Sequence, residues 1–347
     1  MKYTTYMVPI MIHTAIMLFK FSKTYTNSKL KFASILFLFI GITVSSLAQN
    51  PTGISSQNDY QILSDISYGE YGQNKFDLYL PASTIPNMPL VVFFHGGSFK
   101  KGDKRQISRQ YSIISNLLNN NIAFASVNYR FSEDNDSLGV QKCINDALRF
   151  IQFIRFHAAE FRIDKNKIGC YGESAGAGIS LYLAFHDDLA IHDSIGQLQQ
   201  ESTRIQCAGA IATQATYNLL RWRSYIPGLG LLYPFVKGQA KNPLANFYGY
   251  KTYKAFKSFR KETMTKLDML EMISPDDPPV WVYNPTSDKI KKGIPFNANQ
   301  LFHHPAHAKI IEKEAKKANI TYYVITNDKK RNSTLSIDAF FIKYLSQ

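Results

Sequence analysis

Cysteine is scarce in this chain, three in 347 residues. A number that small and odd excludes a disulfide-framed scaffold. Cys170 and Cys207 fall on or beside apolar stretches, where a thiol behaves as a small apolar group. No internal repeat or low-complexity tract occurs, which excludes a repeat array and suits one α/β domain with a cap. Acids are also few, 26 Asp and Glu against 40 Lys and Arg, for a net charge of +14. No nucleic-acid-binding module accompanies that charge, so it does not by itself imply DNA or RNA.

Part of the excess is N-terminal. Residues 1–48 carry Lys2, Lys20, Lys23, Lys29 and Lys31 and no acid, so without them the charge is 14 − 5 = +9. Lys29 and Lys31 precede the apolar run Phe32–Phe39, which continues to Val44, and Ser46-Leu47-Ala48 has the small alternate residues that signal peptidase prefers. The segment 1–48 reads as an N-terminal extension and signal peptide cleaved after Ala48, which implies export to the periplasm or beyond. A second apolar stretch, Met7 to Phe19, lies ahead of it, and its retention would make the region a membrane anchor. No cysteine directly follows Ala48, so a lipoprotein is not indicated. Residues 49–58 form a linker and 59–347 the folded domain.

The most specific feature is Gly172-Glu173-Ser174-Ala175-Gly176. An apolar strand, Lys167-Ile168-Gly169-Cys170-Tyr171, precedes it, and Ala175 to Phe185 can continue as helix. A strand that turns at once into a helix crowds the backbone, and glycines two residues either side of a serine give the clearance that lifts its hydroxyl out of the sheet. Ser174 is therefore the candidate nucleophile. Upstream, Pro89-Leu90-Val91-Val92-Phe93-Phe94 is a continuous apolar run of parallel-strand type, followed by His95-Gly96-Gly97-Ser98. The amides of Gly96 and Gly97, with that of Ala175, are candidates for an oxyanion hole. His95 reads as a brace of this loop.

These segments resemble the α/β-hydrolase superfamily, in its carboxylesterase and hormone-sensitive-lipase-like branch, which includes bacterial feruloyl-esterase-like domains. The resemblance extends from about Asp59 to the C-terminus through Val127-Asn128-Tyr129-Arg130, Asn145-Asp146-Ala147-Leu148-Arg149-Phe150 and His157–Asp164. It implies an α/β fold with a mostly parallel eight-stranded sheet, helices on both faces, and a serine esterase without metal or organic cofactor. Strands are expected near Gln61–Tyr68, Lys75–Tyr79, Leu90–Phe94, Ala123–Asn128, Ile168–Tyr171, Ala208–Ala212, Val280–Tyr283 and Thr321–Ile325. Leu138–Phe156 carries Cys143, Ala147, Ile151 and Ile154 at helical spacing.

After the seventh strand, Asp288 aligns with the acid of the family's "HGTxD" turn, with Asn284 and Pro285 in place of His and Gly. A solvated loop aspartate is the alternative. The family's histidine after the last strand is missing, and the last histidine of the chain is His307. His303, His304 and His307 keep the order Ser, Asp, His. Pro305 suits the first position of a helix, which places His304 at the boundary and His307 in the first turn. A helix N-terminus keeps an imidazole neutral and able to accept a proton. His304 is therefore the first candidate base and His303 the second. The alternative is that the cluster only braces the helix start, leaving a binding scaffold without catalysis. The H-x-x-x-H spacing of His303 and His307 lacks the glutamate and third ligand of a zinc site, and no metal is assigned. His157, His186 and His192 read as structural.

Between strands six and seven lies an aromatic, basic insertion, residues 217–278, expected to be helical and cap-like. Trp222 and Tyr225 are its candidate substrate-binding residues. Tyr253, Phe256 and Phe259 recur at a helical period and read as core packing. Lys237, Lys241, Lys251, Lys254, Lys257, Arg260, Lys261 and Lys266 face few acids; a solvated face is the ordinary meaning, and attraction of acidic glycans another. The expected partner is a small-molecule or glycan-linked ester, with acetyl or aryl esters in view.

Overall fold

The computed structural model describes residues 60–347 apart from 84, 134–135, 230–240, 288–297 and 328–333. The expected signal peptide, cleavage site and linker, with Lys237 and Asp288, lie outside the described residues.

Eight strands form one sheet: β1 Tyr60–Ser67, β2 Lys75–Pro81, β3 Met88–Phe94, β4 Ala123–Val127, β5 Ile163–Glu173, β6 Cys207–Ile211, β7 Val280–Asn284 and β8 Tyr322–Thr326. Their order is β1-β2-β4-β3-β5-β6-β7-β8. β2 runs antiparallel to both neighbours, and β4, β3, β5, β6, β7 and β8 are parallel. All eight expected strands are present. β5 starts earlier than its apolar run because Ile163 already pairs with Met88.

The described helices are α1 Tyr111–Asn119, α2 Val140–Phe156, α3 Ala175–Phe185, α4 Lys241–Phe247, α5 Tyr253–Thr265, α6 Met269–Met272, α7 Ala298–Phe302, α8 Pro305–Ala318 and α9 Ile337–Leu345. Strand side chains alternate between two faces, and each face buries its own core. One core joins Val91, Phe93, Phe124 and Tyr171 to Ile114 and Leu117 of α1 and Phe340 and Phe341 of α9. The other joins Leu90, Val92, Phe94 and Cys170 to α2, α3 and α8 through residues such as Ile151, Ile179 and Ile311. Burial on both faces is why β3 and β4 read as unbroken apolar runs. The molecule has the α/β-hydrolase fold.

α2 begins at Val140 rather than Leu138. Gly139 has φ 54°, and a Cβ there would stand 2.4 Å from the amide nitrogen of Gly249. The insertion between β6 and β7 is helical, with a tight turn at Leu219–Ser224 followed by α4, α5 and α6. Phe256 is fully buried and stacks on Tyr248 with centroids 5.0 Å apart. Phe259, expected in that core, is 55% exposed: it lies at the margin of the α5 face and stacks on the partly buried Tyr250.

Candidate active site

Two glycines make the turn at Ser174 possible. A Cβ on Gly176 would lie 1.9 Å from the Phe94 carbonyl oxygen, and one on Gly172 would lie 2.4 Å from the Gly176 carbonyl carbon. Only glycine fits where β3, the end of β5 and the start of α3 meet this closely. Ser174 takes φ 52° and ψ −110°, a conformation that costs of order 1–3 kcal/mol and needs surrounding structure to hold it. That support is visible: the Ser174 amide donates to the Ile211 carbonyl at the end of β6 (2.9 Å), and its carbonyl accepts from Gly178 (3.1 Å).

The loop after β3 is fixed from below. Tyr129 donates its hydroxyl to the His95 carbonyl at 2.8 Å and stacks on the imidazole with centroids 4.4 Å apart. His95 donates Nδ1–H to the Gly96 carbonyl at 2.7 Å, and burial lowers its pKa, so the ring is a neutral brace. The rest of the Asn128-Tyr129-Arg130 segment is anchored as well. Arg130 pairs with the buried Asp146, which also accepts from Asn74 at 2.9 Å. Gly96 packs so close that a Cβ there would be 3.6 Å from Cβ of Ser174. The amides of Gly96, Gly97 and Ala175 donate to no backbone carbonyl among the described residues.

The histidine beside Ser174 is His303. Its Nε2 lies 2.9 Å from Ser174 Oγ, and its Nδ1 lies 2.9 Å from Asn299 Oδ1. Desolvation lowers the His303 pKa, so the ring is neutral near pH 7 and Nε2 can accept the serine proton. His304, the first candidate from sequence, is turned away. It is the N-cap of α8, its Nδ1 accepting the Ala306 amide at 3.0 Å, with Pro305 at the first helical position. The helix-boundary reading of Pro305 therefore holds, but the cap takes up the very imidazole it was expected to present. His307 is fully buried. Its Nε2 donates to the Leu301 carbonyl at 3.1 Å, and its Nδ1 accepts from the Ala215 amide (3.2 Å) and the Tyr225 hydroxyl (3.0 Å). Burial pushes its pKa down to about 3. His303 and His307 thus point at different partners and do not converge on a shared point.

Three side chains hold the His303 segment, a role the sequence gives to none of them, and Gln214 is absent from the sequence reading altogether. Gln214 donates to the Phe302 carbonyl at 2.9 Å, His307 to that of Leu301, and Asn284 to that of His304 at 3.2 Å. Those carbonyls belong to the end of the short α7 and the link that follows, where backbone acceptors lack helical partners. Asn284 also exchanges two 3.0 Å hydrogen bonds with the Thr213 backbone. This gives a physical reason for Asn284 at the turn: it joins the ends of β6 and β7 to the histidine segment. Asn299 was missed too, although the Asn-x-x-x-His spacing puts both side chains on one helical face.

A cavity of about 670 Å³ opens over Ser174 and His303. Trp222 lines it, its indole N–H donating to the Thr216 carbonyl at 2.9 Å. Tyr225 does not belong to that wall. Its hydroxyl is committed to His307, so it braces the site instead of meeting substrate. Among the described residues no group of three or more His, Cys, Asp or Glu could hold a metal ion.

Known proteins are similar to this chain in sequence and in fold. A probable isoprenylcysteine alpha-carbonyl methylesterase of Arabidopsis thaliana is 29% identical over 171 residues, 49% of this chain and 38% of the relative. A probable carboxylic ester hydrolase, LipM, of Mycobacterium tuberculosis is 30% identical over 155 residues, 43% of this chain and 34% of the relative. The chain thus spans well under half the length of the curated relatives it matches. Among solved structures, a truncated carbohydrate esterase from gut microbiota superposes with a TM-score of 0.59 at 15% identity, over 84% of this chain and 99% of that one. An acetyl ester-xyloside bifunctional hydrolase of Caldicellulosiruptor lactoaceticus gives 0.53 at 16%, over 78% and 84%. These likenesses concern the fold. The BD-FAE family model matches residues 76–304, from β2 through the histidine segment and well over half of the chain, so this protein belongs to the BD-FAE family of α/β-hydrolases.

Proposed function

We propose that the protein is a carboxylic ester hydrolase working through a serine acyl-enzyme. The observation that carries this reading is the 2.9 Å approach of Ser174 Oγ to His303 Nε2; the esterase names among its relatives support it. In this mechanism Oγ–H passes its proton to Nε2 as oxygen attacks the ester carbonyl. The oxyanion is stabilised by the amides of Gly96, Gly97 and Ala175. The imidazolium returns its proton to the departing alkoxide, and water repeats the sequence on the acyl-enzyme. Asn299 Oδ1 accepts Nδ1–H, which keeps the lone pair on Nε2 facing the serine, the part a carboxylate plays in most such triads. Asp288 is the sequence's candidate for that part, and comparing Asp288→Asn with Asn299→Ala separates the two. Export through residues 1–48 belongs to the same reading and rests on the basic-then-apolar sequence ending at Ala48.

Rapid mixing with a p-nitrophenyl ester tests the proposal. The expected result is a burst of nitrophenol equal to the enzyme concentration and an acyl adduct on Ser174 in the intact mass. A protein that binds such esters without releasing nitrophenol would instead be a hydrolase scaffold used for binding.

A further inference from the structure

Resting on the hydrolase reading, we infer that the substrate is an anionic amphiphile: an ester with a bulky apolar group beside the scissile bond and a negative charge farther out.

The apolar half follows from the wall of the cavity. Leu219, Leu220, Trp222, Leu244, Phe247 and Phe302 face its 670 Å³. Several of these are only partly buried, packed against the core on one side, so their remaining apolar surface faces the empty space. An acetyl group would leave most of that volume to water held against leucine and phenylalanine. A medium-length alkyl or aryl group would displace it, and each methylene buried strengthens binding by up to about fourfold. A bare sugar, rich in hydroxyls, would find few polar partners there.

The charged half follows from the signs at the same wall. Lys100 and Lys241 line the cavity, and no Asp or Glu does among the described residues. Lys241 Nζ sits 5.8 Å from the ring centroid of Tyr253, which also lines the space and opens α5. From there Lys254, Lys257 and Lys261 follow at intervals of three and four, exposed and on the side of the helix next to Tyr253. The acid on that helix, Glu262, is already bound to Lys266 at 2.8 Å. Lys241 at the wall, with further cations beyond it and no Asp or Glu among the described lining residues, favours a substrate whose outer end is negative.

The test compares p-nitrophenyl acetate, p-nitrophenyl octanoate and the mono-p-nitrophenyl ester of octanedioic acid, which has the octanoate chain length with a terminal carboxylate. Octanoate should exceed acetate in kcat/KM by at least about tenfold. The half-ester should match or exceed octanoate at low salt, and its advantage should shrink at high salt. In Lys241→Met the half-ester to octanoate ratio should fall several-fold, through KM. Acetate as the best substrate would overturn the apolar part. A ratio unchanged in both Lys241→Met and Lys100→Met would overturn the anionic part. Labelling of Ser174 by a fluorophosphonate, measured in parallel, keeps these outcomes apart from failure of the hydrolase reading, in which no labelling occurs.

Discussion

The nucleophile half of the site and the base half are built on different principles. Ser174 stands where three backbone segments meet so closely that Gly172 and Gly176 admit no Cβ. Steric necessity fixes those residues, and the sequence displays them. His303 stands on a short helical segment whose position is set by side chains from elsewhere: Gln214 after β6, Asn284 at the end of β7 and His307 in α8. Any of several histidines can occupy such a segment. Which one faces the serine depends on caps and hydrogen bonds that spacing alone does not reveal.

The largest test of that contrast is exchange within the histidine cluster. Ser174→Ala and His303→Ala should each lower kcat by on the order of a millionfold, the loss found when either member of such a pair is removed. His304→Ala should lose the α8 cap, worth about 1 kcal/mol of stability, with turnover nearly unchanged. Equal losses at 303 and 304 would break the distinction. On the nucleophile side, Gly176→Ala should destabilise the fold by at least about 3 kcal/mol in a denaturant titration, because backbone and not a movable side chain meets the new methyl.

Smaller effects sharpen the base half. Asn299→Ala should lower kcat about tenfold to a hundredfold, the worth of one orienting hydrogen bond. Asn299→Asp should retain turnover while moving the acidic limb of the kcat/KM profile to higher pH, since a carboxylate beside Nδ1 favours imidazolium. In the wild type that limb should lie below 6.5, the ordinary histidine value, because burial lowers the His303 pKa. His307 has a separate signature. With its folded value at about 3 against 6.5 when exposed, the unfolded chain binds a proton there that the folded chain refuses. Stability should therefore fall as pH drops from about 6.5 toward 3, by up to about 1.4 kcal/mol per unit. Denaturant titrations of His307→Gln should show a shallower decline over that window.

The same division explains what could be read in advance. The eight strands, the buried glycine turn, the His95 loop and the helical insertion follow from apolar periodicity and backbone sterics, which are local in sequence. Pro305 marked the start of α8, but the cap it implied takes up the His304 ring and so leaves His303 as the one that faces the serine. Tyr225 is aromatic and lies in the insertion, which points to substrate, yet its hydroxyl donates to the buried Nδ1 of His307. Asn284 and Gln214 carry no motif. Their role exists only once β6, β7 and α7 are side by side.

The claim that His303 activates Ser174 is tested most directly by the rate of fluorophosphonate labelling, followed by intact mass, in wild type, His303→Ala and His304→Ala. The account predicts rapid modification of Ser174 in wild type and His304→Ala, and labelling slowed by at least about a thousandfold in His303→Ala. Undiminished labelling of His303→Ala, with loss in His304→Ala, would contradict it.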